Sequence, residues 1–226
     1  MKTKLIDISQ LTSKSLKDKA YLDSFSEYYK LATVTENGLW HNNQNVLDHV
    51  IGVYAGLETI LEYKDTEVAQ KDVLSNYLSE LIGSQTRQNI LKVATLLHDI
   101  AKTDVLVKKP DGTAGCPGHD LIAAGRVKNF AERFGLDNKS ESYVERIVRY
   151  HGFISEILDL MIANQDKEKY FRIFNETVGD VAIELTLLMH ADLLGSDLEK
   201  SDKQGYNERI NLLSWMLELL FLKDNS

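Results

Sequence analysis

The distribution of proline is the feature that most constrains what this chain can fold into. Its 226 residues include only two prolines, Pro110 and Pro117, and both fall in one stretch. The long proline-free segments on either side favour helices, because proline removes a backbone donor and clashes with the preceding helical turn. No stretch shows the strict apolar–polar alternation of a half-buried strand. The sequence therefore predicts an all-α fold.

Apolar residues recur at helical spacing through most of the chain. Between Asn43 and about Glu62 they form one buried stripe, and a second helix is predicted from about Ser84, as its cap, to Lys102. Further helices are predicted at about 119–134, 139–150, 154–163, 166–177, 178–195 and 204–222. Gly135 and Gly152 stand at predicted helix ends, where glycine is favoured.

The clearest predicted loop is KPDGTAGCPG, Lys109 to Gly118, which contains both prolines and three glycines. No repeat or linker divides the chain. We therefore expect a single domain, residues 1–226, with its core at about 40–197 and with N-terminal helices and a C-terminal helix packed on it. The apolar C-terminal helix fits either this core or the face of a homodimer.

Composition excludes several classes of protein. The net charge of −8 argues against stable nucleic-acid binding, which needs a basic surface. A single cysteine, Cys116, rules out an intramolecular disulfide and a multi-cysteine zinc site, and we interpret it as incidental. The N-terminus lacks the apolar core of a signal peptide, and the longest apolar stretch, Ile210 to Leu222, is too short to cross a bilayer. We expect a cytoplasmic protein with no membrane partner.

Asp99 points most directly to chemistry. It follows the nearly apolar turn ATLLH and precedes Ile100 and Ala101, yet carboxylates are rarely buried without a partner. A cation is the natural partner. The adjacent His98 lies about 100° away around a helix axis, so the two side chains can straddle one ion.

Two more residues border apolar helical faces in the same way. Asp192 follows Leu185 and Leu188 on one face of the segment VAIELTLLMHADLLG, and His49 borders the stripe of the first inner helix. His190 points nearly opposite to Asp192, so we interpret it as a core residue.

The order His49, His98–Asp99, Asp192 resembles the HD superfamily of metal-dependent phosphohydrolases, which is named after the adjacent pair. The segments LLHDIAK, PGHDLIAAG and VRYHG are similar to those of the HD domains of bacterial tRNA nucleotidyltransferases and of HD-family symmetrical dinucleoside tetraphosphatases. The resemblance covers roughly residues 40–197. It implies a helical bundle with a metal site between its central helices.

The resemblance also implies the metal ligands. One ion would be held by His49, His98, Asp99 and Asp192. A second ion would be held by Asp99, as a bridge, together with His119 and His151. Such donors suit divalent iron, manganese, cobalt or nickel, with zinc or magnesium as further candidates. If His119 and His151 only begin and end helices, a single ion is expected.

The implied activity is hydrolysis of a phosphomonoester or phosphodiester bond in a nucleotide or a similar small phosphate ester. Ions about 3.5–4 Å apart bind a shared water and lower its pKa toward about 7, and the resulting hydroxide attacks phosphorus. Asp99 and Lys102 are the predicted catalytic residues, and Lys102 follows the pair on the same side of the helix, where its charge can contact phosphate. A solvated helix end is the alternative role of Lys102.

Some features depart from branches of the superfamily. GCPG stands near the place of the GYP signature of cyclic-di-GMP phosphodiesterases, and IAK follows the pair instead of the acidic couple of alarmone hydrolases. Both substrates are therefore disfavoured. Two other functions remain open on the same residues: a di-iron oxygenase and a non-catalytic helical module that binds a nucleotide. His41 fits the site entrance or the surface, and Asp120 fits a ligand-orienting role or a helix start.

Overall fold

The computed structural model describes residues 5–38, 40–62, 68–108, 110 and 112–223, so Lys109 and Asp111 of the predicted loop lie outside the described residues. Helices account for most of the described chain, which confirms the all-α prediction. The α-helices are α1 (Ser13–Lys17), α2 (Ser26–Tyr29), α3 (Val46–Leu61), α4 (Val68–Ser79), α5 (Arg87–Leu97), α6 (Lys102–Val105), α7 (His119–Arg126), α8 (Asn138–Asn164), α9 (Lys167–Val178), α10 (Ala182–Gly195), α11 (Leu198–Ser201) and α12 (Lys203–Lys223).

Two small antiparallel hairpins accompany the helices. The first pairs β1 (Leu81–Ile82) with β2 (Gln85–Thr86), and the second pairs β3 (Val107–Lys108) with β4 (Ala114–Gly115). Strands of two residues are too short to produce a readable alternation, which explains why the sequence pattern missed them.

Helix α3 crosses α10 at very close range. A methyl group added at Gly56 would lie 2.9 Å from the carbonyl oxygen of Ala191, and one added at Gly195 would lie 2.3 Å from the backbone nitrogen of Val53. Real side-chain carbons do not approach backbone atoms this closely, so only glycine permits the crossing. As a result, the His49 face of α3 lies directly beside the Asp192 end of α10.

The helix predicted from Ser84 to Lys102 is shorter at both ends. Ser84 lies in the turn between β1 and β2, and Thr86 caps α5 by accepting from the backbone N–H of Asn89. The helix ends at Leu97, and the chain turns through 98–101 before α6 begins. The His98–Asp99 pair therefore lies in a turn and not on a continuous helix.

The prediction of two helices separated at Gly152 is wrong. Helix α8 runs unbroken from Asn138 to Asn164, and its buried stripe continues through Val148, Ile154 and Leu158. An interior glycine costs only about 1 kcal/mol, and the continuous apolar stripe offsets that cost. Gly135, in contrast, ends a turn with φ of 61°, as predicted.

The helix predicted from His119 to Phe134 is also interrupted. Helix α7 ends at Arg126, and two 3₁₀ turns, Val127–Asn129 and Ala131–Phe134, complete the segment.

One continuous cluster of buried apolar residues joins the N-terminal segment, the central helices and α12. It includes Ile6 and Phe25 near the N-terminus and Leu213 and Met216 in α12. This continuity supports the single-domain organisation, which remains a prediction, and it places one face of α12 in the core. No helix in the described parts of the chain combines the length and the apolar character that a membrane span requires.

Candidate metal centre

The six predicted metal ligands come from five separate parts of the fold. They are His49 in the first turns of α3, His98 and Asp99 in the turn after α5, His119 at the start of α7, His151 in the middle of α8, and Asp192 near the end of α10. The structure brings all six together in two groups of three, which meet at Asp99.

The first trio is His49, His98 and Asp192, whose ligand atoms all lie within 4.8 Å of one another. His49 Nε2 lies 2.9 Å from Asp192 Oδ1. Asp99 borders this trio, since its Oδ2 lies 3.7 Å from His49 Nε2 and 3.4 Å from His98 Nε2.

The second trio is Asp99, His119 and His151, again with ligand atoms within 4.8 Å. His119 Nε2 lies 3.0 Å from His151 Nε2, and the two nitrogens lie 3.1 and 3.8 Å from Asp99 Oδ1. Asp99 thus turns one oxygen toward each trio, which is the arrangement of a carboxylate that bridges two ions.

Three of the histidines are oriented by their own backbone. In each ring, Nδ1 lies close to the carbonyl oxygen three residues earlier: the distance is 2.7 Å for His98, 2.7 Å for His119 and 2.6 Å for His151. A ring that donates from Nδ1–H to a carbonyl presents the Nε2 lone pair on the other side, which is the tautomer a metal ion needs. The local turns therefore aim all three Nε2 atoms into the centre.

Local sequence explains where two of these histidines point. Gly118 adopts a left-handed conformation with φ of 69°, so α7 begins abruptly at His119. His151 shares the buried stripe of α8, which turns its ring toward the other ligands.

Several polar atoms of the centre are buried without a hydrogen-bond partner among the described residues. They are His49 Nδ1, His98 Nε2, Asp99 Oδ2 and Asp192 Oδ1. The two carboxylate oxygens have close ion-pair contacts, with Lys102 Nζ at 3.0 Å and His49 Nε2 at 2.9 Å, but no hydrogen bond. Leaving buried lone pairs unsatisfied is costly, and converging imidazole and carboxylate donors are the normal surroundings of a transition-metal ion. The residues present therefore fit one or two divalent metal ions.

The pKa shifts agree with this interpretation. Burial opposes the charge on Asp99, but the charges of His98 and Lys102 outweigh it and hold the pKa of that carboxyl well below its usual range. Burial likewise opposes the charge on Asp192, yet the close contact with His49, at 2.9 Å, lowers the pKa of this carboxyl. Burial and the neighbouring His98 lower the pKa of His151 to about 3. Ionised carboxylates and neutral imidazoles are the states that bind metals.

His98 differs from His151. Burial disfavours its charged form, but the carboxylate of Asp99 outweighs burial and raises the pKa of His98. A metal ion binding at His98 Nε2 would therefore compete with a proton.

Lys102 does not occupy a solvated helix end, because only 4% of its surface is exposed. Its Nζ lies 2.5 Å from Glu36 Oε2 and 3.0 Å from Asp99 Oδ2. Burial opposes its charge, but Asp99 and Glu36 outweigh burial and raise the pKa of Lys102. The ammonium group therefore stands at the edge of the centre as a permanent cation.

Sequence reasoning missed Glu36, a buried carboxylate that contacts both Lys102 and His41. His41 also packs its ring edge-on against His49, with centroids 4.5 Å apart, so it borders the centre and is not an ordinary surface histidine. Burial and the nearby His49 lower the pKa of His41 to about 4. Glu36 carries no motif signal, because it lies between polar residues in an irregular segment far from the ligands in sequence.

The other candidates lie outside both trios. His190 is half-buried, and burial lowers its pKa. Cys116 is buried, with Sγ directed at the carbonyl oxygen of Lys102 at 3.6 Å, and burial raises the pKa of its thiol to about 12. The cysteine thus packs beneath the centre as a neutral group.

Comparison with known proteins gives a match between residues 46–196 and a family described as HD domain. All six predicted ligand residues lie within that range, whereas Glu36 and His41 lie before it. The bifunctional uridylyltransferase/uridylyl-removing enzymes of Bordetella pertussis and Bordetella parapertussis are each 33% identical to this chain over 120 residues. The aligned part is 52% of this chain but only 12% of each relative.

Proposed function

Because the chain belongs to the HD domain family, whose members are metal-dependent phosphohydrolases, we propose that it hydrolyses a phosphomonoester or phosphodiester bond in a nucleotide or a similar small phosphate ester. The observation that carries the proposal is the pair of trios that meet at Asp99, each with ligand atoms within 4.8 Å of one another.

In this proposal His49, His98, Asp99 and Asp192 hold one ion, and Asp99, His119 and His151 hold a second. Divalent iron, manganese, cobalt or nickel suits these donors best. When bound, such ions supply an acidic water and offset negative charge on a phosphoryl group.

The protein's own side chains prepare the reaction in three ways. The Nδ1–H donations keep three imidazoles in one orientation, so little rearrangement is needed on metal binding. Burial of the centre excludes bulk water and strengthens every charge interaction. The Lys102 ammonium adds a fixed positive charge beside Asp99, where it can stabilise negative charge on a substrate phosphate.

The uridylyl-removing activity of the relatives suggests one substrate to test. Removal of a uridylyl group by water breaks a phosphodiester bond and releases a nucleoside monophosphate. A uridylyl ester is therefore one candidate within the proposed nucleotide class, next to 2′,3′-cyclic nucleotides, nucleoside monophosphates and dinucleoside polyphosphates.

The test is a turnover screen of the purified protein with Mn²⁺ or Co²⁺ against these four substrate types. We expect phosphate or nucleotide release from at least one, and its loss in Asp99→Asn. His190→Gln is the matched control, since His190 lies on the same helix as Asp192 but outside both trios. Metal bound without turnover of any substrate would contradict the proposal.

Metal content tests the two-ion arrangement separately. Elemental analysis is expected to give two transition-metal ions per chain, and one ion in His151→Ala. A single ion in the unaltered protein would remove His119 and His151 from the ligand set.

The same experiments separate the two alternatives. A di-iron oxygenase predicts substrate-dependent oxygen uptake by the iron-loaded protein, and hydrolysis predicts none. A non-catalytic nucleotide-binding module predicts that His98→Ala and Asp99→Ala keep ligand binding. The family match and the relatives' uridylyl-removing activity favour hydrolysis over both.

A further inference from the structure

We propose that Glu36 is a positioning residue of the metal centre, because its carboxylate holds the Lys102 ammonium at the edge of Asp99. The inference rests on the proposed function in one respect only, namely that Asp99 is a metal ligand. It concerns a residue that lies before the range matched by the family.

Glu36 is held in place by pairing on both sides. Thr35 forms an antiparallel bridge with Asn45, the residue that caps α3, and Asn37 forms another with Ala114 of β4. The Asn37 amide also donates to the carbonyl of Gly112 at 2.8 Å. Side chains alternate along extended backbone, so Glu36 points away from its two bridged neighbours and into the protein.

Burial makes this carboxylate energetically important. Glu36 is 7% exposed and Lys102 is 4% exposed, so neither charge is well solvated. Two opposite charges in such a setting must be paired, since an isolated buried charge costs far more than a buried pair. Glu36 Oε2 meets this need for Lys102 at 2.5 Å.

Lys102 is, however, shared between two carboxylates. Its Nζ also lies 3.0 Å from Asp99 Oδ2, the oxygen that faces the first trio. Without Glu36, Asp99 alone would balance the ammonium charge and would be less available to a metal ion. With Glu36 in place, Asp99 Oδ2 can turn to the ion while Lys102 stays paired.

The contacts also limit how Glu36 can act. In the described structure its carboxylate reaches the ligands through Lys102 to Asp99 and, more weakly, through His41 at 3.4 Å to His49. Of these two contacts of Glu36, the one with Lys102 is shorter and joins opposite charges. We therefore expect the effect of Glu36 on metal affinity to depend on the presence of Lys102.

The experiment is a double-mutant cycle on metal binding, which needs no substrate. Co²⁺ affinity is measured by visible absorption for the unaltered protein, Glu36→Gln, Lys102→Met and the double variant. Glu36→Gln is expected to weaken Co²⁺ binding by about 10- to 100-fold, the range typical of residues that support metal ligands. The same substitution in the Lys102→Met background is expected to have little effect.

Equal weakening in both backgrounds would overturn the proposal, because Glu36 would then act directly or through His41. Unchanged affinity in Glu36→Gln would also overturn it. Glu27→Gln is the matched control, since Glu27 lies in the N-terminal segment and pairs with Arg133 at 2.8 Å. It should leave Co²⁺ binding unchanged.

Two further measurements keep the outcome interpretable. If Glu36→Gln does not fold, Glu36→Asp replaces it in the cycle: its side chain keeps the charge but is one methylene shorter, and unaltered Co²⁺ affinity would overturn the proposal. The cycle also separates this inference from the proposed function. A protein that binds Co²⁺ and shows the coupling but hydrolyses nothing would leave Glu36 as a positioning residue and refute the hydrolase.

Discussion

Two buried polar clusters within the described residues differ in whether their own side chains complete them without a ligand. In the cluster around Arg87 and Glu184, the guanidinium lies 2.8 Å from Glu184 Oε1, and the Tyr77 hydroxyl donates to Glu184 Oε2 at 2.9 Å. Arg87 also donates to the hydroxyls of Tyr77 and Tyr143 and to Glu80. No side-chain atom of these five residues is among the buried unsatisfied atoms of the described chain.

The candidate metal centre is the opposite case. Its carboxylates and imidazoles are buried or half-buried, but four of its polar atoms lack a hydrogen-bond partner within the described parts of the chain, and Lys102 is the permanent cation among its contacts. The comparison teaches that burial of charge alone does not indicate function. A cluster in which the donors and acceptors pair with one another can serve simply to hold helices together. A cluster whose acceptors converge without partners needs a bound cation.

The largest expected difference between the clusters is in catalysis. Asp99→Asn removes the charge that both trios share, and turnover should fall about ten-thousandfold or more, which is ~5.5 kcal/mol of transition-state stabilisation. Steady-state kinetics on a substrate from the screen measures it. Glu184→Gln should leave the turnover of the folded protein unchanged, and an equal loss in that variant would erase the distinction.

The next effect is on folding. Arg87→Met leaves the fully buried Glu184 without its cation, so the free energy of unfolding should fall by about 3–5 kcal/mol. Urea unfolding followed by circular dichroism measures the change, while bound metal per folded chain should stay constant. Replacing both partners, Arg87→Met with Glu184→Leu, should recover most of the loss, since no unpaired charge then remains. A double variant as unstable as the single one would show that the pair does more than balance charge.

A smaller effect is expected from the metal itself. Free Co²⁺ at about 100 times its Kd should stabilise the folded protein by ~2.7 kcal/mol relative to the chelator-treated form, because the ion binds only where the trios are assembled. Thermal unfolding with and without metal measures the difference. The increment should persist in Arg87→Met and vanish in Asp192→Asn. Its survival in Asp192→Asn would place the ion elsewhere.

The smallest effect concerns pH. Because Asp99 outweighs burial and raises the pKa of His98 above its usual value, a proton competes with the metal for this imidazole. Co²⁺ binding should therefore tighten as pH rises through the His98 pKa, by up to about tenfold, or ~1.4 kcal/mol, per pH unit. Affinity measured across this range tests the sign. The Arg87 cluster should show no matching change, because its guanidinium stays protonated. Binding that weakens with rising pH would contradict the protonation state assigned to His98.

Much of the candidate site could be read from local pattern. His98 and Asp99 follow an apolar helical run, and Asp192 lies on an apolar helix, so both acids were expected to be buried and in need of a cation. The sequence did not reveal Glu36, because an acid among polar residues in an irregular segment looks like any surface acid. Its burial depends on the backbone pairing of its neighbours, Thr35 with Asn45 and Asn37 with Ala114.

The sequence-based predictions are wrong where the preference of a local segment disagrees with its contacts in the tertiary structure. Gly152 resembles a helix end, but the apolar stripe of α8 continues past it and packs into the core formed with the other helices. Lys102 resembles a solvated helix end, but it is enclosed by Glu36 and Asp99. In both cases the partner that decides the outcome comes from another element.

By itself the sequence determined the helical class, the position of most helices and the need of Asp99 and Asp192 for a cation, because periodicity and acids within apolar segments are local properties. The resemblance to the HD superfamily implied the full set of six candidate ligands. Only the tertiary structure decided that Asp99 faces both trios, that Lys102 is shared with Glu36, and that α3 and α10 approach closely enough to join His49 to Asp192. These are relations between distant segments. They depend on packing distances of a few ångströms that no local pattern encodes.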